Sequence, residues 1–284
     1  MKCAWQAYLN LLPEWMRTEV DERGKGILQE LRLRIQRPGE MITAKGRLYL
    51  DKLISHDDLV YCVNAASRYS PWASKTIVRG FITAAGGHRV GICGDVAVVA
   101  GKVTTVTNIT SLCVRVACDF PGVAATAAGC DGSVLLVGPP GSGKTTLMRD
   151  LIRQKSISGC GPVGVVDERR ELFPVVDGVF CFSPGTSTDV ISGCTKCEGM
   201  DILIRTMSPK WIAIDEITAQ EDTEAILHAG WCGVSILATA HADGLLDLKR
   251  RTVYQPLINS GLFKYVIVLG WDKSWTLERM NTCI

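Results

Sequence analysis

The sequence predicts an α/β protein in two parts, a mostly parallel sheet domain preceded by a smaller α+β domain. Three observations carry this expectation. After about residue 130, short apolar runs alternate with amphipathic stretches, the pattern of parallel strands joined by crossover helices. Before residue 121 the apolar pattern is mainly of period two and is punctuated by turn residues. Between these regions, Pro121-Gly122 and a run of small residues through Gly129 read as a junction, so the expected domains are 1–121 and 122–284.

The composition allows a real core and excludes some function classes. Of 284 residues, 47% are hydrophobic and 21% charged, as in a globular protein and unlike a disordered one. The formal net charge of +2 argues against a broad polyanion-binding face, so no nucleic acid is expected as partner. No apolar run reaches the roughly 18 residues of a membrane span. Gln6, Asn10, Pro13 and Glu14 interrupt the first apolar stretch, so no export signal is expected. The twelve cysteines are scattered, and several fall inside predicted strands (Cys93, Cys113, Cys181) as small hydrophobes. Cys194-Thr195-Lys196-Cys197 is a lone C-x-x-C with no second close pair, which reads as free thiols rather than a zinc site.

In the first part, weakly periodic helix-like sequence leads to Leu31-Arg32-Leu33-Arg34-Ile35, an alternation expected of a half-buried strand with its arginines solvated. A turn is expected at Arg37-Pro38-Gly39-Glu40, with a return strand from Met41 toward Leu50. Ser55 is an expected N-cap, and Leu59, Cys62, Val63, Ala66 and Tyr69 recur at helical spacing up to Pro71. From Gly80 the period turns to that of strands, with a hairpin at Gly101-Lys102. In the second part, strands are expected over 133–137, 163–166, 179–182, 211–214, 234–239 and 265–269. Helices are expected over 144–154, 188–207, 219–230 and 245–252.

The chemistry centres on Gly138-Pro139-Pro140-Gly141-Ser142-Gly143-Lys144-Thr145-Thr146, which satisfies G-x-x-x-x-G-K-[ST] with an apolar strand before it and a helix after it. Glycines at these spacings let backbone N–H groups curl around phosphate oxygens at a helix N-terminus. Lys144 is positioned to reach β- and γ-phosphates, and the Thr145 hydroxyl to ligate Mg²⁺, so ATP and Mg²⁺ are the expected ligands. Trp211-Ile212-Ala213-Ile214-Asp215-Glu216 is an apolar strand ending in two carboxylates. Asp215 suits the Mg²⁺ shell and Glu216 suits activation of the attacking water. Asp167 and Glu168 end another strand, where they can approach the metal or its water. Arg169 beside them can touch phosphate or a neighbouring subunit, although a solvated charge cluster remains an alternative. Ala238-Thr239-Ala240-His241 ends a third, so Thr239 or His241 can sense a γ-phosphate.

With these motifs in view, the chain resembles the stage III sporulation protein AA family. The resemblance rests on the phosphate loop and on Val165 to Glu171. It also rests on Leu203-Ile204-Arg205-Thr206-Met207-Ser208-Pro209 ahead of Trp211, on 238–242, on Gly185 to Val190, and on Gly86-Gly87-His88-Arg89-Val90-Gly91-Ile92-Cys93-Gly94. By extension it is similar to the RecA-like ATPases of type II and type IV secretion. That resemblance implies a P-loop ATPase core behind a small N-terminal domain, and a homo-oligomeric ring, expected to be a hexamer. It implies a cytoplasmic location at the inner face of the membrane, and partners among the membrane proteins of a sporulation channel complex. It also implies that Asp167-Glu168 and His241 correspond to the Asp and His boxes. One of Arg89, Arg115 and Arg205 would then complete the site. A nucleotide-gated scaffold that hardly hydrolyses ATP is the competing reading, and a nucleic-acid motor a weaker one.

Overall fold

A computed structural model describes residues 2–67, 80–176 and 178–280. The chain divides into two compact units. Unit 1 comprises Met1–Asp119 and Pro174–Cys181, and unit 2 comprises Phe120–Phe173 and Phe182–Ile284.

Unit 1 opens with β1 (Lys2–Cys3), α1 (Trp5–Leu9) and α2 (Glu14–Gly24). These are followed by β2 (Leu28–Arg34), β3 (Pro38–Thr43), β4 (Gly46–Leu53) and α3 (His56–Ser67). Then come β5 (Phe81–Thr83), β6 (Arg89–Val99), β7 (Lys102–Arg115) and β8 (Cys118–Asp119). Six of the strands form a sheet in the order β4-β3-β2-β7-β6-β5, antiparallel at every pairing, and β1 pairs separately with β8. Leu31 and Leu33 alternate inward, as the alternation predicts, while Arg32 and Arg34 lie half-exposed on the other face, paired with Glu30 (2.7 Å) and the buried Glu40 (2.9 Å). The expected turn at 37–40 falls earlier, with Gln36 at φ +58°, and β3 begins at Pro38. The single return strand is in fact two, folded back at Ala44-Lys45. Ser55 does cap α3, its Oγ accepting from Asp58 N while Asp58 accepts from Ser55 N. The expected continuation of α3 through Tyr69 to Pro71 lies outside the described residues.

Unit 2 begins with β9 (Ser133–Gly138), α4 (Lys144–Ile157) and β10 (Val163–Asp167). The chain then contributes β11 (Val175–Val176) and β12 (Val179–Phe180), a two-stranded ribbon belonging to unit 1. It continues with β13 (Thr188–Ser192), α5 (Lys196–Met207), β14 (Trp211–Ile214) and α6 (Gln220–Trp231). It ends with β15 (Ser235–His241), α7 (Leu245–Arg250), α8 (Gln255–Asn259), β16 (Phe263–Leu269) and β17 (Trp275–Arg279). The sheet order is β13-β10-β14-β15-β9-β16-β17, parallel except for β17. This is the α/β architecture expected, with its core between β9, β14, β15 and the flanking helices. Two expectations need correction. The segment 188–207 is not one helix, because β-branched Thr188, Val190 and Ile191 pair with β10, and the helix starts only after Gly193, where Thr195 and Glu198 form a capping box. The expected strand over 179–182 is two residues long and lies outside the large sheet.

One side chain ties unit 1 together. His88 is fully buried, its Nδ1 accepting from Ala117 N (3.0 Å) and its Nε2–H donating to Ala4 O (3.0 Å). Tyr8 stands edge-on to the ring at 5.1 Å between centroids. Burial pushes this imidazole down to about 4, against the opposing pull of the Ala4 carbonyl. An unfolded histidine titrates near ~6.5, so between these values the unfolded chain binds the extra proton. This contribution is therefore complete above the unfolded value and is lost as pH falls toward the folded one, with about 2 kcal/mol gone by about pH 5. Urea unfolding of the native chain and His88→Gln at about pH 7 and about pH 5 should show the native chain losing that much more than the variant.

Candidate nucleotide site

The parallel registers bring the carboxyl ends of β9, β14 and β15 to one edge of unit 2, where ligands of open α/β sheets bind. His241 stands opposite Gly138, and Ala238 opposite Ile214, so the phosphate loop, the Asp215-Glu216 tip and the His241 tip are neighbours.

The loop geometry explains its residues. A Cβ on Gly138 would stand 2.7 Å from Ser142 Oγ and 2.8 Å from Leu269 O, so only glycine fits there. Gly141 and Gly143 adopt φ of +78° and +98°, the left-handed region in which glycine carries no Cβ penalty. Pro139 and Pro140 lie in the loop between β9 and Gly141, and Thr146 follows Thr145 in the first turn of α4. Lys144 is buried, and its ammonium donates to Gly138 O (2.7 Å), Pro139 O (2.8 Å) and His241 Nδ1 (3.0 Å). Burial pulls the Lys144 ammonium below its ordinary range, while Asp215 and Glu216 oppose that shift. Ser142 Oγ is buried with no hydrogen-bond partner among the described residues, a polar atom left for a ligand.

The carboxylates are held in distinct ways. Asp215 Oδ2 accepts from Thr145 Oγ1 (2.9 Å) and Asp215 Oδ1 from Thr239 Oγ1 (2.7 Å), while that same Thr239 hydroxyl accepts Glu216 N (2.7 Å). Glu216 has φ +60°, a backbone conformation uncommon for a residue with a side chain. Its Oε1 accepts from His241 Nε2 (3.0 Å), and its Oε2 pairs with Arg169. His241 therefore accepts from Lys144 on one ring nitrogen and donates to Glu216 with the other, linking the two. These groups fit a nucleotide phosphate chain with a divalent cation: a glycine cradle, one buried cation, and a hydroxyl beside a carboxylate.

The other predicted residues have further engagements. Asp167 is buried, and its two oxygens accept the backbone N–H groups of Glu171, Leu172 and Phe173 at 2.8–3.2 Å. Burial raises its carboxyl to about 6, against the Phe173 and Leu172 amides, with Asp215 adding to the rise. Glu168 pairs with Lys196 (3.0 Å). Arg205 stands on the exposed face of α5 with Asp201 (2.9 Å), away from the Asp215 network. In unit 1, Arg89 and Arg115 are register partners across β6 and β7. Arg89 lies 4.1 Å over the Phe81 ring and Arg115 is 3.5 Å from Glu30, beside an open cleft of about 160 Å³ lined also by Gly80, Gly91 and Cys113.

Sequence reasoning missed Arg149, which donates to Leu172 O (2.7 Å) and Glu171 O (2.8 Å) and so fastens the loop after β10 to α4. In the sequence it falls off the apolar stripe of Leu147, Met148, Leu151 and Ile152, so no local pattern marked it. Replacing Thr239 by Val, which keeps the shape, leaves Asp215 Oδ1 and the Glu216 N–H without their shared partner. This should cost about 1–3 kcal/mol in denaturant unfolding.

Comparisons with known proteins agree with this architecture. The family described as "Sporulation stage III, protein AA" matches residues 9–277. Stage III sporulation protein AA of Bacillus subtilis (strain 168) is 35% identical over 276 residues, covering 93% of this chain and 90% of that protein. Among solved structures, the pilus retraction motor PilT with bound ADP superposes with a TM-score of 0.62 at 16% identity, covering 94% of this chain and 83% of that one. The Legionella pneumophila ATPase DotB gives a TM-score of 0.57 at 17% identity, covering 94% and 80%. These structural likenesses show the fold alone, a mixed α/β architecture with a large, mostly parallel sheet. From the match over nearly its whole length, the chain belongs to the stage III sporulation protein AA family.

Proposed function

We propose that this protein is a Mg²⁺-dependent ATPase that energises assembly of, or transport through, a sporulation channel complex. The observation that carries the proposal is the convergence of Lys144, Thr145, Asp215, Glu216 and His241 at one sheet edge, connected by hydrogen bonds of 2.9–3.0 Å. The loop over 138–146 binds the phosphate chain through its amides, and Ser142 Oγ adds a donor. Lys144 exchanges one or more of its present acceptors for β- and γ-phosphate oxygens. Thr145 and Asp215 hold the Mg²⁺, with Asp167 and Glu168 as nearby carboxylates. When bound, that ion neutralises charge developing on the phosphates. Glu216 keeps a lone pair on each oxygen beyond those given to His241 and Arg169, and it orients and deprotonates the attacking water. His241, spanning Lys144 and Glu216, reports the γ-phosphate to the base.

The protein works as a homo-oligomer, proposed to be a hexameric ring, with Arg89, Arg115 or Arg205 reaching a nucleotide in trans. It acts on the cytoplasmic side of the membrane through membrane-protein partners. Among the described residues no helix is long and apolar enough to cross a membrane.

Replacing Glu216 by Gln should retain ATP binding and lower kcat by about 10²–10⁴-fold, measured by phosphate release alongside equilibrium nucleotide binding. Undiminished turnover in this variant would remove Glu216 from the role of base, whereas a native chain that binds ATP and does not turn it over would leave a nucleotide-binding scaffold. A second measurement tests the shared site. Mixing Glu216→Gln chains with Arg115→Ala or Arg89→Ala chains should restore turnover neither variant shows alone, and no recovery for either pair counts against arginines of unit 1 acting in trans.

A further inference from the structure

The lone C-x-x-C contains a buried cation, Lys196. Cys194 and Thr195 form the turn into α5, and Lys196 is its first residue. An ammonium in the first turn of a helix faces the positive end of the helix dipole, and this one is also buried, with only 6% of its side chain exposed. Both features oppose a lysine here, so its placement must be compensated by specific partners.

The partners come from two other elements. Lys196 Nζ lies 3.0 Å from Glu168 Oε2, just past the end of β10, and 3.3 Å from Asp222 Oδ2, in the first turn of α6. Burial pulls the lysine down, yet the hydrogen bond it donates to Glu168 and the charges of Asp222 and Glu168 outweigh it, and the ammonium ends above its ordinary range. Asp222 Oδ2 also accepts Thr218 N (2.9 Å), Ala219 N (3.2 Å) and Thr218 Oγ1 (3.2 Å).

These contacts define how the segment carrying Glu216 is held. At its start, Thr239 accepts Glu216 N through its hydroxyl and Ile217 N (2.9 Å) through its carbonyl, and Tyr254 OH donates to Ile217 O (3.2 Å). At its end, Asp222 Oδ2 captures both Thr218 N and Ala219 N. Asp222 is 8% exposed in its side chain and has Lys196 as its cation. Meanwhile Glu168 and Arg169, adjacent in sequence, reach Lys196 and Glu216 respectively, so the loop after β10 is joined to the Glu216 segment twice.

We infer that Lys196 is a positioning residue that fixes the Glu216 segment through Asp222 and locks it to the loop after β10 through Glu168. The inference rests on the hydrolytic role proposed for Glu216, but its mechanical part stands apart from that role. Lys196 touches neither the phosphate loop nor Asp215, and its partner Glu168, a carboxylate near the proposed metal site, stays in place when the lysine is removed. Its loss therefore displaces the base without removing binding groups.

The test uses the full chain with Lys196→Met, Lys196→Arg and Asp222→Ala. In Lys196→Met, kcat for ATP should fall by about 10²-fold, the effect of a small misplacement of a catalytic group, with KM within about threefold of the native value. Amide hydrogen exchange at Thr218 and Ala219 should quicken in the same variant, while exchange in α4 stays unchanged. Lys196→Arg should restore most of both. If Lys196→Met does not fold, Asp222→Ala, which leaves the lysine paired with Glu168, should show the same faster exchange and the same loss confined to kcat. Native exchange at Thr218 and Ala219 in the folded variant overturns the inference, and so does a parallel loss of kcat and ATP affinity. Should the native chain show no turnover, the ATPase reading fails, while faster exchange would still establish the clamp.

Discussion

The site depends on the parallel register of three adjacent strands. β14, β15 and β9 run side by side in the same sense, so Asp215, His241 and the phosphate loop leave the sheet at one edge. Parallel neighbours are roughly 4.8 Å apart, which places side chains from their tips within hydrogen-bonding reach without long loops. A single hydroxyl exploits that spacing. Thr239, one strand over from Asp215, donates to that carboxylate and accepts the next amide, so the two acidic residues of the β14 tip take different orientations. The strained backbone of Glu216 at φ +60° is maintained inside this arrangement, as is common where a side chain must be aimed.

Around this edge, buried charges hold irregular backbone. Asp150 accepts Gly122 N and Ala124 N, fastening the junction segment to α4. Asp167 accepts three successive amides, Arg149 donates to two carbonyls of the same loop, and Asp222 accepts two amides beyond Glu216. Backbone groups in loops lack the pairing that helices and sheets supply, and a buried loop must find it elsewhere. Here charged side chains provide it, and each such bond is of the stronger, charge-assisted kind. The loops around the candidate site thereby receive the backbone pairing that strands obtain from their neighbours. Unit 1 solves the same problem with neutral groups, where His88 joins Ala4 to Ala117 inside an apolar core.

Much of the fold was legible in the sequence because local patterns encode it. The apolar runs at 133–138, 163–167 and 211–214 are buried on both faces, as central parallel strands must be. Other elements were not legible. Residues Thr188–Ser192 were read into the following helix, since only pairing with β10 makes a strand of them. β17 (Trp275–Arg279) is a largely exposed edge strand whose Glu278 and Arg279 disguise its period. Lys196 was read as part of a cysteine motif, and its partners lie 28 residues before it on one side and in α6 on the other.

By itself, the sequence determined the residue pattern required by the chemistry proposed for the phosphate loop. That chemistry needs glycines, a lysine and a hydroxyl within eight consecutive residues, a spacing that backbone geometry turns into one shape. It also determined that carboxylates would end apolar strands. Only the tertiary structure decided which of those groups meet. Lys144 and His241 are 97 residues apart, and Thr145 and Asp215 are 70 apart. Their contacts follow from the order and register of strands, which depend on packing across the whole sheet rather than on any local pattern. The same packing set Asp167 to hold a loop and Glu168 to face a lysine, distinctions that a run of acidic residues cannot express.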